Sequence, residues 1–125
     1  MIACVLAAAV LLCPMNFNAS FHKDVPPPAP GWVLVTDPAF GYDAEFFKTR
    51  NLVVALVDQG SSSPRYSIDR LESADGKLTA HVTRTSGMIQ TMDFVSWVML
   101  LEIDKSITVD DVQIILSSKI TDSAT

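Results

Sequence analysis

A chain of 125 residues has room for one domain and a short appendage. Its 49% hydrophobic and 18% charged content makes it too apolar to be a disordered chain. The formal net charge of −5, with no run of Lys or Arg, opposes nucleic-acid phosphates and excludes nucleic acid as an expected partner.

In chain order, residues 1–15 read MIACVLAAAVLLCPM and carry no charge, and the first charged side chain is Lys23. Lys23 and Asp24 cancel, so the negative balance belongs to residues 31–125. An apolar run of this length fits the h-region of a signal peptide and falls short of the ~20 residues of a spanning helix unless extended toward Phe21. Residues 1–24 are therefore expected to be a signal peptide or a membrane anchor, the only expected link to a membrane. A buried apolar helix or strand is the competing reading. No Lys or Arg precedes the run, and Leu12 before Cys13 does not suit a lipidation signal. Both cysteines, Cys4 and Cys13, lie inside it, which leaves the rest of the chain with no disulfide framework, redox pair or cysteine metal cluster.

Residues 25–30, Val-Pro-Pro-Pro-Ala-Pro, favour an extended polyproline conformation and read as a semi-rigid spacer. A β domain is expected over 31–120, with a polar tail at 121–125. Trp32 to Thr36 is a short strand stopped by Asp37-Pro38. Asp43 to Lys48 reads as a short helix capped by Asp43, with Phe46 and Phe47 turned toward the sheet. Leu52 to Val57 is a continuous apolar run, the pattern of a strand buried on both faces. Tyr66-Ser67-Ile68 opens the next strand. Asp75-Gly76 is the signal of a type I′ hairpin turn. Leu78, Ala80 and Val82 alternate with Thr79, His81 and Thr83, as in a strand with one wet face. Phe94 to Ile103 is a second long apolar strand, closed by charge at Asp104-Lys105, and Val112 to Leu116 is the last. About six strands, local hairpins and no repeated βα units predict an all-β fold with one short helix: a small antiparallel β-sandwich or partly open barrel.

The order of several of these elements resembles the C-terminal domain of the PrcB family, named for an accessory subunit of a bacterial surface protease complex, and related Firmicutes proteins of unknown function. The matching stretches are the aromatic pair Phe46-Phe47, the strand Asn51 to Val57, the loop Gly60-Ser61-Ser62-Ser63-Pro64-Arg65, and Tyr66-Ser67-Ile68. They continue through Gly76-Lys77-Leu78, Thr83-Arg84 and the apolar strand Val98 to Lys105. The resemblance covers residues 42–116. It implies an extracytoplasmic, non-catalytic domain and names no ligand. In the loop this chain has Ser-Ser-Ser-Pro-Arg where those domains tend to Thr-Gly-Gly.

The loop Ser61-Ser62-Ser63-Pro64-Arg65-Tyr66 is the candidate partner-binding surface, because recognition residues gather in loops held by a rigid scaffold. A plain connection is the alternative. A phosphate loop would need a Gly-Lys closure opening a helix, and here a proline and a strand follow. A nucleophilic serine needs a base. His81, with Asp69 or Glu72, is the base that the domain offers, and no G-x-S-x-G elbow accompanies it. His81 with scattered acids is no metal cluster, and Asp110-Asp111 lacks the alternating oxygen ligands of a calcium loop. Met88-Ile89, beside Gly87, form a second apolar tip, and Trp32 and Trp97 read as core. The expected function is a bacterial, extracytoplasmic, non-catalytic domain that binds another protein, with no cofactor, no metal and no catalytic residue. The alternatives are a loop-based protease inhibitor and a small hydrolase pairing His81 with a loop serine.

Overall fold

A computed structural model describes residues 17–87 and 89–121. Its described elements are strands β1 (Phe17–His22), β2 (Trp32–Val35), β3 (Arg50–Gly60), β4 (Arg65–Ala74), β5 (Lys77–Ser86), β6 (Val95–Asp104) and β7 (Asp111–Ile120), with one 3-10 turn at Phe46–Lys48. They form a sandwich of two open sheets, ordered β1-β6-β3-β2 and β4-β5-β7. All-β composition and sandwich architecture agree with the expectation from sequence, and neither sheet closes on itself.

The inner core lies between the sheets. Val53 and Ala55 of β3 and Met99, Leu101 and Ile103 of β6 meet Leu71 of β4 and Leu78, Ala80 and Val82 of β5. The period of two in β5 puts its apolar set on this face, as read from the sequence. The central strands of the first sheet carry a second core on their outer face. There Leu52, Val54, Val98 and Leu100 pack with Phe47 and are flanked by Val25, Val35, Tyr42 and Phe46. Burial on both faces is why β3 and β6 read as continuous apolar runs rather than alternating ones.

Four details differ from the sequence reading. First, the sheets are not wholly antiparallel, because β5 pairs β7 in parallel, from Lys77↔Asp111 to Ser86↔Ile120. The chain leaves β5 for β6 in the other sheet and returns for β7. Two reversals of direction bring β7 back alongside β5.

Second, β1 is part of the sheet. Phe17 to His22 pair antiparallel with Ile103 to Val98, and Phe17, Ala19 and Phe21 pack on the inner core. The segment 17–22 falls within the range read as a leader, although Asn18, Ser20 and His22 alternate with Phe17, Ala19 and Phe21 as in a strand with one buried face. Residues 1–16, with both cysteines, lie outside the described residues.

Third, residues 23–31 join β1 and β2 at opposite edges of one sheet, and Val25 packs on the outer core. The proline-rich stretch thus crosses the sheet instead of standing apart from it. Its prolines suit that course, having no N–H to leave unpaired.

Fourth, the short helix is a single 3-10 turn over Phe46–Lys48. Asp43 still accepts the Phe46 N–H at 3.1 Å, and Phe46 and Phe47 do face the sheet. Six residues give too few hydrogen bonds to offset α-helix nucleation.

The Asp75-Gly76 turn is as expected. Both residues have positive φ, 52° and 81°, and Ala74 pairs with Lys77 across them, which is type I′ geometry.

Candidate functional site

Strands β1, β3, β5 and β7 end at one pole of the sandwich, where residues 61–64 join β3 to β4 and residues 87–94 join β5 to β6. All six residues of the candidate loop lie here, in two distinct roles. Ser61, Ser62 and Ser63 fasten loops together. Ser61 Oγ is 2.6 Å from Thr91 Oγ1 and 2.9 Å from Ser63 Oγ. The Ser62 N–H donates to Asp93 Oδ1 at 3.2 Å. The Trp97 indole N–H donates to the Ser61 carbonyl at 3.0 Å. Thr91 also donates to Asp93. Hydrogen bonds from Ser62 and then Thr91 hold the exposed Asp93 carboxyl down at about 2.

Pro64, Arg65 and Tyr66, with Phe21 and Trp97, line a groove of about 330 Å³, near the small end of ligand-site volumes. The Tyr66 ring lies 5.8 Å from Phe21 and 5.0 Å from Trp97, centroid to centroid, in tilted geometry. Such offsets are favourable for aromatic pairs. Pro64 is buried, Tyr66 half-buried and Arg65 exposed.

A bulge shapes this site. Between Leu56 and Asp58 the β3–β6 register slips by one residue, and Val57 packs on the inner core while Asp58 also points to the opposite sheet. Its Oδ2 accepts the Tyr66 hydroxyl at 2.7 Å and the Arg84 guanidinium at 3.0 Å. Arg84 in turn donates to Ser118 of β7 at 2.9 Å. Burial, then the hydrogen bond to Asp58, raises the Tyr66 hydroxyl well above the ordinary tyrosine value, so it stays a donor. Re-aiming a side chain is a common use of a bulge.

Beside the groove stands an apolar tip. Ile89 is 90% exposed, Met92 99% and Phe94 71%, and Ile120 at the end of β7 is 67% exposed. Ser86 holds Ile120 and Thr121 next to that loop by strand pairing and by the Thr121 N–H at 2.9 Å. The apolar strand expected from Phe94 begins at Val95, so Phe94 is released to the surface. Met88 lies outside the described residues.

His81 sits elsewhere. Its Nε2 is 2.9 Å from Glu72 Oε1, and that bond pulls the Glu72 carboxyl down. In β5 it is four residues from Thr85, the partner of Arg65, so about 13 Å separates it from the serine loop along the strand. No hydrogen bond joins His81 to a serine among the described residues. Among those residues, no group of three His, Cys, Asp or Glu could hold a metal ion. No helix among them is long and apolar enough to cross a membrane.

Sequence reading missed Phe21, Asp58, Arg84, Thr91, Asp93 and Trp97 as parts of the site. For Thr91-x-Asp93 a local signal exists, since a hydroxyl two residues from a carboxylate favours a turn. For the others there is none, because the site joins positions 21, 58, 66, 84 and 97 through sheet pairing. Comparison with protein-family models, with curated proteins and with solved structures finds no match to this chain.

Proposed function

We propose that this chain is an extracytoplasmic, non-catalytic β-sandwich module that binds another protein through the pole bearing residues 61–66 and 89–94. The observation that carries the reading is the apolar tip. Ile89, Met92, Phe94 and Ile120 are four of the seven large hydrophobics exposed among the described residues, and all four lie at this pole. Clustered apolar side chains on a small acidic domain mark a surface that is covered in use. The serines support the same reading as structural posts, because they tie this loop to its neighbour rather than present a nucleophile. The apolar residues 1–15 support an exported or tethered location.

The test is cross-linking capture from bacterial envelope extract. The bait is the full chain, since β1 belongs to the sheet. A Met92→Ser/Phe94→Ser double variant and a Ser61-Ser62-Ser63→Gly triple variant run alongside. A captured protein lost in the double variant and weakened in the triple variant is the expected result. Equal capture by all three, or capture of nothing, refutes the assignment of this pole. Fractionation that finds the chain inside the cytoplasm refutes the location.

A further inference from the structure

The groove next to the apolar tip has a chemistry of its own. It is lined by the three rings of Phe21, Tyr66 and Trp97, by buried Pro64 and by exposed Arg65. It lies where the edge of one sheet meets the edge of the other. Among the described residues β1 pairs only with β6 and β4 only with β5, so each leaves an outer row of backbone N–H and C=O groups unpaired beside the groove. Arg65 makes no ion pair among the described residues. Asp58 is engaged by Tyr66 and Arg84, and Asp93 by Ser62 and Thr91, so neither is paired with Arg65.

We propose that this groove binds an extended acidic segment of the partner protein, seating a prolyl or aliphatic side chain on the aromatic floor and a neighbouring carboxylate on Arg65. The proposal rests on the protein-binding reading above and names what the partner presents. Each part follows from one feature. A free strand edge accepts an extended chain through main-chain hydrogen bonds. An aromatic floor takes a flat apolar side chain such as proline. An exposed guanidinium takes a carboxylate as a two-pronged acceptor and repels a basic segment. Arg65 is what distinguishes this groove from a merely greasy one, because charge across an interface sets which partner is accepted.

The experiment is selection of random displayed dodecapeptides on the full chain. Fluorescence anisotropy of an enriched peptide then compares the wild type, Arg65→Glu and Arg70→Glu. Arg65 is exposed, so its replacement leaves the core intact, and matched thermal midpoints verify this. Arg70 is a control cation of the same strand, 64% exposed and paired with Glu72. The expected result is enrichment of Asp or Glu within two positions of Pro, Leu, Ile or Val. Arg65→Glu then weakens binding by about tenfold or more, the peptide's Glu→Lys form recovers part of that loss, and Arg70→Glu changes nothing. The proposal is overturned by no enrichment, by enriched peptides without an acid, or by equal affinity for Arg65→Glu. If peptides fail while the envelope partner is still captured and lost on Met92→Ser/Phe94→Ser, the groove assignment falls and the binding-module reading stands. If both fail, both fall.

Discussion

Removal of Asp58 should cost this sandwich far more than removal of an exposed carboxylate. It is 18% exposed and Arg84 33% exposed, and the pair sits between the sheets with the Tyr66 hydroxyl on the same carboxylate oxygen. Asp58→Ala removes the hydrogen bonds from Tyr66 and Arg84 together with that from the Gln59 N–H, and leaves a half-buried guanidinium whose Nε has no partner among the described residues. Hydrogen bonds to charged groups contribute roughly 1.5–3 kcal/mol each. Arg84 keeps Ser118 and some access to water, so the total loss is about 2–4 kcal/mol. The Lys48–Glu45 pair makes the comparison: at 3.1 Å its geometry is similar, but the side chains are 67% and 79% exposed. Glu45→Ala should cost less than about 0.5 kcal/mol. Urea unfolding followed by tryptophan fluorescence measures both, with an unchanged m-value showing that stability alone has moved. A double-mutant cycle with Tyr66→Phe isolates the hydroxyl's share. If Asp58→Ala matches Glu45→Ala, or costs as much in the Tyr66→Phe background as in the wild type, Asp58 does not couple the two sheets through Tyr66 and Arg84, and the bulge has no such role.

The remaining expectations are narrower. Tyr42 donates to Glu102 at 2.8 Å, and burial first, then that bond, pushes its hydroxyl from 10.0 up to about 12. The folded state therefore holds this proton more tightly, and the bond's contribution is whole below pH 10 and lost as pH rises toward 12. Tyrosinate absorbance of wild type against Tyr42→Phe should show one late-titrating phenol that the variant lacks. Asp93 is shifted the other way, from 3.8 to about 2. Its support of the Ser62 loop is present above pH 3.8 and fades as pH falls toward 2, so the Ser62 amide resonance should titrate in that window in wild type and not in Asp93→Asn. Gly76→Ala should destabilise by at least about 1 kcal/mol. Its φ of 81° is costly for an L side chain, and the new Cβ would collide with the Asp110 carboxylate; a stability equal to wild type would contradict the turn geometry. Leu101→Ala, at a fully buried position of the inner core, should cost about 2–5 kcal/mol in the same urea assay.

What the amino-acid order settled by itself was local. Alternation at Leu78, Ala80 and Val82 oriented β5. Unbroken apolar runs at Leu52–Val57 and Val98–Leu101 announced strands covered on both faces. Asp75-Gly76 specified its turn because only certain residues tolerate positive φ at both positions. Of the site, the serine loop and its Pro-Arg-Tyr exit could be read from composition, as could the tip beside Gly87. Everything that depends on which strand lies beside which was decided by tertiary structure. The alternation of β1 was present in Phe17, Ala19 and Phe21 against Asn18, Ser20 and His22, but its pairing with β6 is a contact across some eighty residues. The parallel partnership of β5 with β7 arises from the detour through the other sheet, which no local pattern encodes. Asp58 became a partner of Tyr66 and Arg84 only because one extra residue in β3 rotates it inward. Phe21, Tyr66 and Trp97 form one groove only because two sheet edges meet there. A side chain's face follows from its neighbours in sequence, whereas a site follows from strand pairing, and pairing is chosen by the free energy of the whole core.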